Sequence, residues 1–300
     1  MLAITTPTGN TGRHVAELAV ARGEQVRLLI RDPAKLSNGL TVACDIVVGD
    51  MRDASALDAL LKGANAVFFC VPQSADADDM RAYYLSFATV VSDAIARNGI
   101  GRVVTISGGD GEGSGGIGVG SDLYAMERMI EAAAPDVRHV RCGYFMENLF
   151  WQVQPLARAG VFSLPVGADV ALPWVAAQDI GRAAGELLVD RTWNGHAGVA
   201  AHGPNAISCK DVASSLTQAL GRPVAFAPVS GEQYTQTLMS HGCSRALGDG
   251  LVKMFDAIGM GKDMGATPDA AAECLTTLAD WSNRALAPAI TRVLQQVQAD

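Results

Sequence analysis

The chain has 300 residues, 49% apolar and 18% charged, with a formal net charge of −8. That length is a prior of about two domains, or one large α/β domain with an appendage, and the apolar content excludes a disordered chain. The acidic balance, with no Lys/Arg run, argues against nucleic acid as a direct partner, because phosphate binding needs a basic face.

The opening MLAITTPTGN has neither a basic region nor a long apolar core, so no secretory signal is expected. No window of about 18 apolar residues offers a membrane span. Six scattered cysteines (Cys44, Cys70, Cys142, Cys209, Cys243, Cys274) form no C-x-x-C pair. They read as buried small hydrophobes in a reducing, cytoplasmic compartment.

Taken in order, MLAITT is a short strand, and RHVAELAVARG is a helix closed by Gly23. EQVRLLIR is a second strand, DPAKLSNGL a turn with a short helix, and TVACDIVVGD a third strand. ASALDALLKG is a helix whose entry Asp53 or Ser55 caps. ANAVFFCVP is an unbroken apolar run of the kind buried in parallel sheets. Residues 78–98 form a long helix, IGRVVTIS a fifth strand, SDLYAMERMIEAAA a helix and VRHVRCGYF a sixth strand.

After residue 150 the alternation loosens, and residues 151–175 read as irregular. VAAQDIGRAAGELLVD is a helix that returns to the sheet, with Asp179 as a cap or a domain-joining partner. ISCKDVASSLTQALG opens on Ser208 and Asp211, close to a capping box. RPVAFAPV is a short strand, and SGEQYTQTLMSHG and DGLVKMFDAIGMG are helical.

Repeated strand–helix units predict an α/β fold with a doubly wound parallel Rossmann-type sheet and a smaller C-terminal α+β substrate domain. Residues 1–150 form the first domain and 173–200 return to it; 151–172 and 201–300 form the smaller, cleft-shaping one. Right-handed crossovers bring every strand's carboxyl end to one edge, where ligands bind.

Between the first strand and helix, TTPTGNTG carries Gly9 and Gly12 at G-x-x-G spacing, where a dinucleotide fingerprint belongs. A tight turn without a ligand is the plainer reading. The second strand ends on Arg31, with Lys35 four residues on, in place of the acid that would bind the ribose of NAD. A guanidinium suits a 2′-phosphate, which favours NADP(H); a solvated surface pair is the alternative, and Asp32 complicates the signal.

TPTGNTGRHV, LLIRDPAKL, VVGDMRD, GYFMENL, PWVAAQDIGRAAGELL, AHGPNAISCKDVA and ALGRPVAFAPV together resemble the NmrA-like family of atypical short-chain dehydrogenases/reductases. The resemblance covers nearly the whole chain. It implies an NADP-binding Rossmann domain and a substrate cleft. Family members include NADPH-dependent reductases of quinones, azo compounds and other carbonyl-like acceptors, and redox-sensing regulators without activity.

Carried over by position, Thr6, Thr8, Gly9, Asn10, Thr11 and Gly12 would cradle the pyrophosphate, and Arg31 and Lys35 would hold the 2′-phosphate. Asp50 and Met51 would flank the adenine, and Val71, Pro72 and Gln73 the ribose–pyrophosphate path. Ser107 and Gly108 would lie beside the nicotinamide ribose; Tyr144, Phe145 and Asn148 would border nicotinamide and substrate. Two positions depart from the family pattern: Thr6 stands where the first fingerprint glycine usually does, and Cys142 where many relatives have proline.

Typical short-chain reductases use a Tyr-x-x-x-Lys pair. The corresponding positions fall at about Val119 and Leu123, so neither residue is present. The glycine-rich stretch Ser107–Gly120 occupies that place, and reads as a mobile loop beside the nicotinamide or as a plain solvent linker. Tyr124 is the one nearby phenol and a weak candidate acid. No histidine stands at metal-ligand spacing, so no metal is expected.

The expectation is an NADPH-dependent oxidoreductase acting on a small aromatic or conjugated acceptor. A non-catalytic NADP(H) sensor working through a protein partner is the alternative. The expected partner is a small-molecule substrate, without nucleic acid or membrane; a homodimer is left open.

Overall fold

A computed structural model of the chain describes residues 1–108, 116–262 and 270–299. Its first half alternates as the apolar pattern requires: β1 (Leu2–Ile4), α1 (Gly12–Ala21), β2 (Val26–Ile30), α2 (Asn38–Ala43), β3 (Asp45–Val48), α3 (Ala54–Leu61), β4 (Ala66–Phe69), α4 (Met80–Asn98), β5 (Arg102–Gly108), α5 (Val119–Ala133) and β6 (Asp136–Cys142). The second half is more broken. It runs through β7 (Tyr144–Phe145), α6 (Val153–Ala159), β8 (Val161–Phe162), β9 (Ala171–Leu172), β10 (Trp174–Val175), α7 (Ala177–Val189), β11 (His196–Ala201), β12 (Ile207–Ser208) and α8 (Cys209–Leu220). It ends with β13 (Ala225–Phe226), α9 (Gly231–Ser240), α10 (Arg245–Gly259), β14 (Ala270–Ala271), α11 (Leu278–Trp281) and α12 (Ala287–Ala299).

Eight strands form one parallel sheet in the order β14-β11-β6-β5-β4-β1-β2-β3. Helices cover both faces. Leu57, Tyr84 and Met126 of α3, α4 and α5 bury one face; Val15 and Ile180 of α1 and α7 bury the other. The order in which strands are added reverses between β1 and β4, which opens a crevice at their carboxyl ends. Thr5 laces that point: its hydroxyl donates to the Phe68 carbonyl (3.2 Å) and accepts from the Cys70 amide (3.2 Å). A third core, around Phe162, Trp174, Leu216, Phe255 and Trp281, lies in the second half of the chain.

The structure departs from the sequence reading in four places. Thr41–Ala43 belong to α2, and β3 starts only at Asp45; Leu40 anchors that short helix in the core while Val42 is exposed. The sixth strand ends at Cys142, and Tyr144–Phe145 pair instead with Trp174–Val175. Gly143 makes this turn possible, since a Cβ there would lie 3.0 Å from the Pro173 carbonyl carbon, against its oxygen. Residues 151–175 are not wholly irregular, because α6 lies within them. Finally, β11 and β14 extend the sheet beyond the six strands expected. HAGVAA lacks a strand's usual β-branched density; pairing to β6 along its full length makes it a strand.

Asp179 is resolved as a joining residue. Its carboxylate accepts the Thr276 amide (2.8 Å) and hydroxyl (3.0 Å), tying α7 to the segment before α11. Ser208 and Asp211 form a full capping box on α8. Residues 109–115 of the glycine-rich stretch lie outside the described residues, so the lid and linker readings both fall there. Its carboxyl flank is packed: Ile117 is buried, and Gly118, at φ 60°, approaches the Gly250 carbonyl of α10 so closely that a Cβ would lie 3.0 Å from its carbon. Among the described residues no helix is long and apolar enough to cross a membrane.

Candidate active site

The β1–α1 turn sits over the crevice. Thr6 is at φ 51°, the one non-glycine with a positive φ among the described residues. Its carbonyl accepts the Gly9 amide (3.0 Å), and the Gly9 carbonyl accepts the Arg13 amide (3.2 Å). Thr8, Gly9 and Asn10 are exposed at the tip; Thr11 and Gly12 are buried at the helix start. Thr11 makes no side-chain cap, and α1 has no acid in its first turn. The positive end of its dipole is therefore left to face an anion.

At the end of β2, Arg31 and Lys35 are exposed and make no ion pair among the described residues. Asp32 caps its own turn: its carboxylate accepts the Ala34 amide (3.1 Å). Asp50 lies in the same corner, held by Arg52 through Nε (3.0 Å) and Nη2 (3.2 Å). These bonds lower the Asp50 carboxyl below its usual range, and the charge of Arg31 adds to the effect. Met51 is buried beside it. Arg52 also lies 5.6 Å above the Phe87 ring, and Tyr83 donates its hydroxyl to the Pro72 carbonyl (3.0 Å). Arg52 and Tyr83 were missed in the sequence. Arg52 stood inside the VVGDMRD motif; Tyr83, on a long helix, gave no local signal.

Val71 is buried after β4, while Pro72 and Gln73 are exposed on the rim. Ser107, the penultimate residue of β5, is almost fully buried, and Gly108 ends the strand against Leu123 of α5. Two buried hydroxyl oxygens at this edge, Thr6 Oγ1 and Ser107 Oγ, have no oxygen or nitrogen partner among the described residues; the Cys70 thiol is the polar neighbour of Thr6. Buried polar groups are normally satisfied, so such orphans fit an oxygen-rich ligand.

Beyond β6 the chain builds an aromatic wall. Tyr144 packs edge-on against Trp174 (4.8 Å between centroids) and tilted against Phe255 (5.6 Å). Tyr234 of α9 meets the other side of Phe255 at 5.9 Å. Burial pushes the Tyr144 phenol well above its ordinary range; Tyr234 and Asn148 are its polar neighbours. Phe145 is half-buried in the α1-side core. Glu147, between the named residues, is a structural link: its carboxylate accepts the Ala177 amide at the start of α7 (3.0 Å) and the Trp281 indole N–H (2.9 Å). Tyr124 is not part of this wall. It lies in α5 with the Arg128 guanidinium 5.9 Å from its ring centroid. Tyr234, Trp174 and Phe255, the last two buried in the third core, were not singled out in the sequence because they come from its loosely patterned second half. A separate hollow of about 470 Å³ between α8 and β13 lies away from this edge; its one charged residue, Lys210, pairs with Asp169.

A parallel sheet in this strand order and a glycine-pinned first turn define a Rossmann-type fold, with two cations after β2 unpaired among the described residues. The chain belongs to the NmrA-like family, whose profile matches residues 1–282. It is 27% identical over 257 residues to an NAD(P)H azoreductase of Xenophilus azovorans, covering 85% of this chain and 86% of that one. Its fold is similar to that of an NADPH-dependent quinone oxidoreductase of Escherichia coli solved with NADPH, with a TM-score of 0.75, 20% identity, and coverage of 98% and 99%. It is also similar to that of NmrA, a negative transcriptional regulator solved with NADP, with a TM-score of 0.74, 18% identity and 97% coverage of each chain.

Proposed function

We propose that the protein is an NADPH-dependent oxidoreductase acting on a small, flat, conjugated acceptor such as a quinone, azo compound or enone. Kinship to the azoreductase supports the reaction class. One observation in the structure carries the reading: the buried Ser107 hydroxyl, without a partner among the described residues, lies near the end of β5 at the same sheet edge where Tyr144 follows β6.

In this reading Thr6, Thr8, Gly9, Asn10, Thr11 and Gly12 present amides, hydroxyls and the α1 dipole to the pyrophosphate. Arg31 and Lys35 pair with the 2′-phosphate, and Asp50 and Met51 flank the adenine. Val71, Pro72 and Gln73 line the path between. Ser107 and Gly108 border the nicotinamide ribose; Tyr144, Phe145 and Asn148 close the far side. Residues 1–150 with 173–200 carry these cofactor contacts, and 151–172 with 201–300 shape the cleft. When bound, the reduced nicotinamide supplies a hydride. The chain's residues orient the acceptor and exclude water; no Tyr-x-x-x-Lys pair is available to donate a proton. Quinones and azo compounds suit such a site, since their reduced anions need less acid assistance than those of simple ketones.

A non-catalytic NADP(H) sensor is the second reading, favoured by the missing pair and by the likeness to the regulator. The test follows nicotinamide absorbance with NADPH and a panel of quinones, azo dyes and enones. Acceptor-dependent oxidation supports the reductase; tight NADPH binding with no oxidation by any acceptor supports the sensor.

A further inference from the structure

We propose that Tyr234 is the acceptor's hydrogen-bond donor, reaching the cleft from α9 and held in place by Tyr144. This deepens the reductase reading and rests on it.

The geometry separates Tyr234 from Tyr124. Helix α5 begins at Val119, so Tyr124 lies five residues in, about 7.5 Å along the axis from its start. Because α5 follows a strand's carboxyl end, that displacement carries it away from the binding edge. Tyr144 has the opposite placement, two residues past the end of β6 and paired to Trp174. Tyr144 is buried, whereas Tyr234 is only partly so. Of the two phenols, Tyr234 is therefore the more accessible one.

The α9–α10 hairpin is fixed over this edge at its turn and within α10. The Ser244 amide donates to the Ala75 carbonyl in the loop after β4 (2.6 Å), and Gly250 packs against Gly118 at the start of α5. The hairpin is braced internally, where the Thr235 hydroxyl donates to Asp249 (3.3 Å). Tyr234 thus hangs from an element anchored to the loops that follow β4 and β5. Phe255, on the same hairpin, touches both phenol rings and sets their spacing.

A second observation points to a ligand. Trp174 is 1% exposed and its indole N–H has no hydrogen-bond partner among the described residues. It lies edge-on to Tyr144, so an uncommitted donor shares the cluster with two hydroxyls. Ring faces and N–H or O–H donors, without a basic side chain, suit a planar conjugated body with an oxygen or nitrogen that gains negative charge. Burial raises the Tyr234 phenol to about 12, so it stays protonated and acts by donating a hydrogen bond; the acceptor's proton comes from water.

The test compares wild type with Tyr234→Phe, which keeps the ring against Phe255 and removes only the hydroxyl. Menadione is the acceptor and 2-naphthol the non-reducible binding probe, read by tryptophan fluorescence. The proposal expects about a ten- to hundredfold loss in kcat/KM for menadione and weaker 2-naphthol binding, with NADPH affinity and Tm unchanged. Tyr144→Phe should give a smaller loss, because it acts through Tyr234. If wild type turns over menadione and Tyr234→Phe matches it in both turnover and 2-naphthol binding, this inference is overturned while the reductase reading stands. If no quinone, azo dye or enone is reduced by wild type at the expense of NADPH, the reductase reading itself fails.

Discussion

The carbonyl of Thr6 fills the space into which a side chain on Gly12 would project: a Cβ there would lie 2.9 Å from the Thr6 carbonyl carbon and 3.1 Å from Oγ1. The obstructing atoms are mainly backbone, so nothing swings aside. Gly12→Ala must push the β1–α1 turn outward, away from the pyrophosphate position. NADPH affinity measured by calorimetry should fall at least tenfold; unchanged affinity removes the fingerprint assignment.

Thr6 itself is strained. A β-branched residue at φ 51° sits in a region that favours glycine, at a penalty of order 1–3 kcal/mol. Thr6→Gly should therefore raise stability by about 1 kcal/mol, after the extra flexibility of glycine in the unfolded chain is discounted. Urea denaturation measures this, and a less stable variant would mean that the threonine side chain contributes more than its backbone strain removes.

Arg31→Ala should weaken NADPH binding by about 1.5–3 kcal/mol, roughly ten- to hundredfold, and spare NADH. The exposed guanidinium makes no ion pair among the described residues, so its loss leaves no buried partner stranded. Equal losses for both cofactors would assign Arg31 to something other than the 2′-phosphate.

Glu147 gives a pH prediction. Desolvation raises its carboxyl above the ordinary value, although the Ala177 amide and Trp281 indole oppose the shift. The folded state then holds the proton more tightly than the unfolded chain. The group's stabilising contribution is full below the unfolded value, about pH 4.3, and is lost as pH rises through the folded one. Glu147→Gln lacks this titration. Its stability relative to wild type should improve from about pH 4 towards neutrality, as read by thermal melts across pH. A difference that stays flat would place the Glu147 carboxyl at its ordinary value.

The positions proposed for the cofactor were legible because they follow regular strands. Gly12 opens the helix after β1, and Arg31 and Asp50 follow β2 and β3, where periodicity alone locates them. The acceptor half was not. Tyr234 and Phe255 come from a helical hairpin whose docking depends on Gly118 meeting Gly250, a contact between residues 132 positions apart that no local pattern encodes. Likewise β11 is a strand by virtue of pairing with β6 rather than by composition. Gly143, which turns Tyr144 out of the sheet, looked like the middle of a continuous strand until the Pro173 carbonyl was seen beside it.

The most direct measurement of the reductase account is a single turnover. Protein is mixed anaerobically with one equivalent of NADPH, then with menadione, and nicotinamide absorbance is followed in the stopped-flow. The account predicts that absorbance stays constant until menadione arrives and then decays in one enzyme-dependent phase. It also predicts that Gly12→Ala slows this phase at sub-saturating NADPH. A bound NADPH whose absorbance survives menadione, azo dye and enone alike would contradict it.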